Sequence, residues 1–161
     1  MNIRPAEPRD HPGIRAVLLA AFPGPAEADV VECLRVEGYS AIELVAEDEG
    51  AVVGHILFSP MNAPFRALAL GPLAVAPDRH KQGIGSALVE AAHAIAREKG
   101  WDAIFLLGDP AYYQRFGYDL ALAAGFSSPY AGPHFMVLPL RGALPVTDGE
   151  VHYAPPFAAL G

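Results

Sequence analysis

Midway along the chain, His80-Lys81-Gln82-Gly83-Ile84-Gly85-Ser86 joins an apolar run ending in Leu73-Ala74-Val75 to a long amphipathic stretch. This pattern delivers a strand into a glycine-rich turn and then into the start of a helix. The first N–H groups of a helix have no intrahelical acceptor, and the helix dipole adds roughly half a positive charge there. Gly83 and Gly85 remove side chains that would hold a diphosphate away from those donors. Lys81 adds a cation, and Ser86 adds a hydroxyl. The chemistry on offer is the grip on a phosphorylated carrier.

Two common phosphate motifs fit poorly. No Gly-Lys is followed by Ser or Thr, so this is not a P-loop. Gly83-Ile84-Gly85-Ser86-Ala87-Leu88 departs from the dinucleotide fingerprint at its final leucine, although Asp102 stands roughly 20 residues on, where a ribose-binding acid belongs. The turn also follows several sheet-like segments instead of opening a βαβ unit. A nucleotide-dependent oxidoreductase is therefore the less favoured reading. Cys33 has no His/Asp pair beside it in sequence and reads as helix packing, and the six histidines show no short-range metal-ligand spacing.

The elements that must position the turn are legible from periodicity. Ile14, Val17, Leu18 and Ala21 recur at helical spacing from about Asp10 to Ala21, with Pro12 in the first turn. A second helix follows Pro25, with Val30, Val31 and Leu34 inward and Glu27, Asp29 and Glu32 outward. Residues Glu43 to Glu47, the turn Asp48-Glu49-Gly50 and Ala51 to Phe58 read as an antiparallel hairpin. Arg66 to Val75 is a further strand. After the glycine turn, a helix runs from about Ile84 to Lys99, with Ile84, Leu88, Ala91 and Ile95 on one face and Gly100 as its stop. Ala103 to Leu107 is a short buried strand, Pro110 to Phe116 a short helix, and His134 to Leu140 a late strand. Helices and strands mix without regular alternation, which predicts an α+β fold on a largely antiparallel sheet.

The sequence resembles the GNAT superfamily of N-acetyltransferases. In that family a Gln/Arg-x-x-Gly-x-Gly/Ala turn between strand and helix binds the pyrophosphate of acetyl-CoA. Gly83-Ile84-Gly85 matches its glycine core, and His80 stands in the Gln/Arg place. Ile3-Arg4-Pro5-Ala6 with Asp10 resembles the family's opening strand and helix entry. The stretch from Val45 to Ile56 resembles its central hairpin. Leu70 to Pro77 resembles the strand before the cofactor turn, and Gly108 to Tyr118 the later tyrosine helix and strand. The resemblance implies one GNAT-like domain over residues 1–161, a mixed sheet flanked by helices, and a splayed cofactor cleft.

It also implies the reaction: an amine attacks the thioester of acetyl-CoA directly, and CoA leaves. The backbone of Leu73, Ala74 and Val75 would pair with the pantetheine arm, and Gly71-Pro72 would supply a bulge that opens the cleft. His80, Lys81, Gln82, Gly83, Ile84, Gly85 and Ser86 would hold the pyrophosphate, with Tyr112 a further cofactor contact. Tyr113 matches the family's tyrosine and becomes the acid for the leaving sulfur; an unperturbed phenol, with a pKa of ~10, is protonated near neutrality. Glu43, Glu47, His55 and Asp109 are all candidates for a general base, and spacing selects none of them. A noncatalytic acyl-CoA-binding or sensing module would share the turn without needing Tyr113.

Composition bounds the partners. The 161 residues fit one domain, and 52% hydrophobic with 18% charged residues fills a packed interior. A net charge of −7 with scattered Lys and Arg disfavours nucleic acid. Apolar stretches such as Ala67 to Ala76 are too short to cross a bilayer, the first residues do not read as a signal peptide, and the single cysteine excludes an internal disulfide framework. The expectation is a cytoplasmic protein without a metal, taking acetyl-CoA and an unidentified amine; the resemblance is compatible with a homodimer. The acceptor pocket is expected to draw on the first two helices, the loop 60–66 and the region after Ala124.

Overall fold

The structure is a computed structural model and describes residues 1–160. Its frame is a six-stranded sheet in the order β1-β2-β3-β4-β5-β7. These strands are β1 (Asn2–Pro5), β2 (Ile42–Asp48), β3 (Ala51–Pro60), β4 (Ala67–Val75), β5 (Ala103–Leu107) and β7 (Phe135–Pro139). Every pairing is antiparallel except β4 with β5. A second ribbon pairs β6 (Phe126–Ser127) with β8 (Gly149–Glu150) in parallel. The α+β architecture read from the sequence is the one observed.

Period-2 alternation gives the sheet two apolar faces. On one lie Leu44, Ile56, Phe58, Leu68, Leu70, Ile104, Leu106, Met136 and Leu138, covered by α3 (Ile84–Glu98). On the other, Val45, Leu57 and Ala74 pack beneath α1 (His11–Ala21) and α2 (Ala26–Val36), joined by Phe157 from the final 3-10 turn. Further along that face, Ala67, Ala69, Phe105, Phe135 and Val137 gather with Phe126 and with Ala123 of α5 (Leu120–Ala123).

Two helix readings shift. The face of α3 that is buried carries Ile84, Leu88, Val89, Ala92, His93 and Ala96, while Ala91 and Ile95 are only half-buried. Small alanines at 92 and 96 let the helix settle on a neighbouring stripe. Cys33 is exposed, because Val30, Val31 and Leu34 already take the inner face of α2.

The feature that matters for function is where β4 and β5 part. They pair only over Ala67–Ala69 with Ala103–Phe105. Beyond that point β4 continues to Val75 against β3 alone, through Leu73↔Ile56, Ala74↔His55 and Val75↔Gly54. Between Leu70 and Leu73 the register shifts, so Gly71 and Pro72 oppose the single residue Leu57. This is the expected bulge, and a bulge bends the strand that carries it. The far half of β4 is left with an unpaired edge beside a cleft.

Candidate active site

The glycine turn begins where β4 ends. Pro77–Arg79 makes one 3-10 turn, Lys81 and Gly83 take left-handed backbone (φ 65° and 78°), and α3 starts at Ile84. Glycine adopts that conformation without strain, whereas a lysine does so only where the surroundings impose it. His80 closes the turn, its Nε2–H donating to the Val75 carbonyl at 3.1 Å. The first main-chain bond of α3 runs from Ala87 N–H to Gly83 O at 3.0 Å. The N–H groups of Ile84, Gly85 and Ser86 therefore precede the helical ladder, in the positions from which a helix holds an anion.

A groove of about 410 Å³ opens on these amides. Leu73, Val75, His80, Lys81, Gly83, Ile84, Gly85, Ser86 and Tyr112 all line it. A Cβ on Gly85 would sit 2.9 Å from the Tyr112 hydroxyl, so glycine there keeps the groove open. Ala74 and Gln82 stand apart: alternation turns the Ala74 side chain into the core beneath α1 and α2, and Gln82 is exposed outside the groove.

Two groove residues, Arg79 and Arg115, were not singled out from the sequence. The Arg115 guanidinium donates to Ser86 Oγ at 2.7 Å and lies 4.3 Å from the Tyr112 ring centre. It follows Tyr112 by three residues, the helical spacing that stacks one side chain over another. That spacing was the available signal. Arg79 also lines the groove, but it is held by Asp48.

A second cavity, of about 270 Å³, opens at the bulge of β4 and is lined by Leu70 to Leu73, Leu107, Tyr113, Phe22, Glu27, Tyr153, Phe157 and Leu160. Leu73 belongs to both cavities, and the adjacent Tyr112 and Tyr113 of α4 (Pro110–Tyr113) divide between them. Burial, with Tyr112 adding to it, pushes the Tyr113 phenol up to about 12. Gly108 makes room for its ring, since a Cβ there would lie 2.5 Å from Tyr113 Cε2. The loop 60–66, expected near the acceptor, does not line this cavity.

None of the four candidate bases reaches it either. Glu43 is clamped by Arg35 at 2.7 Å and by His55 Nε2 at 2.8 Å. Burial alone would push the Glu43 carboxyl up, but the hydrogen bonds from His55 and Arg35 outweigh it and bring it to about 2. His55 is sealed at 0% exposure, and burial lowers its pKa, so it stays neutral and donates its Nε2–H. Glu47 pairs with Arg4, and Asp109 caps α4 by accepting the Ala111 N–H at 3.0 Å. Glu27, read from the sequence as outward, is half-buried and lines the cavity. Its solvent-facing periodicity hid that role, because the opposing wall comes from the far end of the chain.

Among the described residues no group of three or more His, Cys, Asp or Glu could hold a metal ion. No helix among them is long and apolar enough to cross a membrane.

Comparison with known proteins gives a consistent set of likenesses. The family model for the acetyltransferase (GNAT) domain matches residues 40–120. The chain is similar to the uncharacterized N-acetyltransferase YhbS of Escherichia coli K12, at 42% identity over 125 residues and 75% of each chain. The uncharacterized N-acetyltransferase YjhQ of the same organism is 35% identical over 133 residues, 77% of this chain and 73% of its own. Among solved structures, YhbS from Escherichia coli in complex with CoA superposes with a TM-score of 0.93 at 36% identity, covering 99% of this chain and 93% of that one. A GNAT acetyltransferase from Brucella melitensis in complex with acetyl-CoA gives 0.83 at 34%, covering 97% of each.

Proposed function

Because this chain belongs to the GNAT family of N-acetyltransferases, we propose that it transfers acetyl from acetyl-CoA to a primary amine by direct attack in a ternary complex. The observation that carries this reading is the continuity of the two cavities: Leu73 lines both, and Tyr112 and Tyr113 straddle the join. A carrier gripped at one end would present its reactive end in the other.

The residues divide the work by chemistry. Main-chain N–H groups of Ile84, Gly85 and Ser86 meet the diphosphate, with Lys81 and Arg115 adding charge, Ser86 a hydroxyl and Tyr112 a wall. The unpaired edge of β4 from Leu73 to Val75 offers N–H and C=O groups to the amide-bearing arm of the cofactor, as an added strand would meet them. Ala74 contributes through its backbone, since its side chain faces away. Pro72 has no N–H, so a main-chain donor to the charge developing on the thioester oxygen falls to Leu73 or beyond. Tyr113 stays protonated at neutral pH and faces the departing sulfur. The relatives of known structure bind CoA or acetyl-CoA, which supports the same ligand here.

The test is thiol release from acetyl-CoA across an amine panel, alongside calorimetry with CoA and with NAD(P). Amine-dependent thiol release with micromolar-range CoA binding is expected. Tight CoA binding without turnover on any amine would favour a noncatalytic acyl-CoA-binding module, and no CoA binding by folded protein would overturn the reading.

A further inference from the structure

Building on that reading, we infer that the acceptor is a small monoamine carried on an apolar or aromatic body, its ammonium seated against Glu27. The cavity at the β4 bulge has one charged residue in its wall, Glu27; the side chains around it, Phe22, Leu107, Tyr153, Phe157 and Leu160, are apolar or aromatic. Two of them, Leu107 and Leu160, are each 43% exposed. At about 270 Å³ the space sits at the small end of ligand pockets, which run from roughly 300 to 1,000 Å³. It suits a compact ligand.

The charge pattern separates Glu27 from its neighbours. Asp29 and Glu32 on the same helix are engaged by Arg15. Elsewhere Glu43 is held by Arg35, and Asp10 and Glu47 by Arg4. Glu27 forms no ion pair with another described residue, yet it is half-buried facing an apolar hollow. A carboxylate so placed attracts a cation and disfavours a second anion. The buried Tyr153 hydroxyl in the same wall also has no hydrogen-bond partner among the described residues.

One carboxylate matches one ammonium. A polyamine would leave further charges against leucine and phenylalanine, and a free amino acid would bring its own carboxylate towards Glu27. The chemistry closes without another reactant. The ammonium gives up one proton to solvent, the free amine nitrogen bonds to the acetyl carbon and sheds a second proton as the carbon–sulfur bond breaks, and CoA leaves as a thiolate that takes up one proton in turn. The product amide is neutral, so it no longer pairs with Glu27 and is free to depart.

The experiment measures 2-phenylethylamine, 2-phenylethanol, phenylalanine and spermidine binding to the CoA-saturated protein by calorimetry, and the three amines as acceptors by thiol release, in wild type and Glu27→Gln. Expected is a KM for 2-phenylethylamine at least tenfold below those of phenylalanine and spermidine. Glu27→Gln should weaken 2-phenylethylamine tenfold or more while leaving CoA affinity, thermal midpoint and the binding of uncharged 2-phenylethanol unchanged. Preference for spermidine or phenylalanine, or unchanged 2-phenylethylamine affinity in Glu27→Gln, overturns the inference and leaves acetyl transfer standing. Glu27-dependent binding of 2-phenylethylamine without any transfer keeps the site and removes the transferase reading. If none of the three amines binds or reacts, this inference falls, and the wider amine panel decides acetyl transfer separately.

Discussion

Replacing Tyr113 with phenylalanine tests what the hydroxyl contributes, and the structure gives a magnitude. The phenol is pushed up to about 12 by burial, and Tyr112 adds to the effect. A thiol of ordinary acidity has a pKa of ~8.5. Moving a proton from Tyr113 to such a thiolate runs uphill by roughly 3.5 units, or about 5 kcal/mol at 1.36 kcal/mol per unit. Complete transfer to a thiolate of ordinary basicity is therefore costly, and Tyr113→Phe separates a proton donor from a hydrogen-bond donor. A hydroxyl that donates a hydrogen bond to the sulfur as charge gathers on it would let the thiolate collect its proton later from solvent. A hydrogen bond to a charged group contributes about 1.5–3 kcal/mol, so Tyr113→Phe should lower kcat roughly 10- to 150-fold. The ring contacts to Tyr112 and Tyr118 survive the change, so CoA affinity by calorimetry should move less than twofold, an order-of-magnitude expectation for a retained ring. Initial rates of thiol release at saturating substrates read the kcat. In wild type no loss of rate from Tyr113 ionisation should appear until above about pH 11, a unit beyond an unperturbed phenol. A kcat within about twofold of wild type refutes the hydrogen-bond role, a fall matched by CoA affinity assigns the residue to binding, and a loss beyond about a thousandfold restores full proton transfer.

Gly85→Glu places a carboxylate in the groove at a site where even a Cβ would lie 2.9 Å from the Tyr112 hydroxyl. Like charges brought together cost several kcal/mol, so CoA affinity should fall by more than about a hundredfold with the fold intact; normal calorimetric binding would misplace the phosphate site. Arg115→Ala removes a cation that is exposed and salt-screened, so CoA binding should weaken only about three- to tenfold, and less so at high salt; an unchanged salt dependence would deny it a phosphate contact. Burial, with Arg97 adding, lowers His93 to about 4 from an ordinary 6.5. The unfolded chain then binds the proton more readily, so stability present above pH 6.5 is lost as pH falls towards 4, by about 2 kcal/mol at pH 5. His55 shifts in the same direction. Because His93 Nε2 lies 2.8 Å from the Tyr118 hydroxyl, the fair comparison is the double change His93→Phe with Tyr118→Phe, which leaves no orphaned partner. Urea unfolding at pH 7 and pH 5 should show wild type losing at least that amount and the double variant about 2 kcal/mol less; equal losses would refute the assignment.

The glycine turn's geometry was legible because everything it needs is local. A strand end, two glycines and a helix start lie within about a dozen residues, and each acts through its own backbone. The hairpin was readable from its strand–turn–strand pattern, β5 from its short apolar run, and the bulge from Gly71-Pro72. What escaped depends on chain closure. Arg115 becomes a groove residue only because α4 lands beside the start of α3, and Glu27 becomes a cavity residue only because Tyr153, Phe157 and Leu160 return to roof α2. The general-base candidates failed for a similar reason. Glu43, Glu47 and His55 carry suitable groups, yet each is consumed by a partner or by burial that no spacing along the chain discloses.

The split in the sheet bears on whether the molecule catalyses or merely holds a thioester carrier. A holder needs the groove at α3 and nothing beyond it, so the space at the bulge could be filled by side chains at no loss. Here the opposite arrangement is kept. Gly71 and Pro72 interrupt the β3–β4 register, β4 and β5 cease pairing after three residues each, and a cavity stands open between them at the join with the groove. Unpaired strand edges and open apolar hollows forgo hydrogen bonds and packing that a closed sheet would supply. Filling the hollow therefore separates the alternatives. Gly71→Trp would add bulk from the cavity's own wall, where a Cβ meets only Phe157 Cε1 at 4.0 Å, although the φ of +155° there strains any side chain. A folded Gly71→Trp protein that binds CoA normally but transfers no acetyl group is what a reaction chamber requires. Undiminished transfer by that variant would show that the amine arrives by another route.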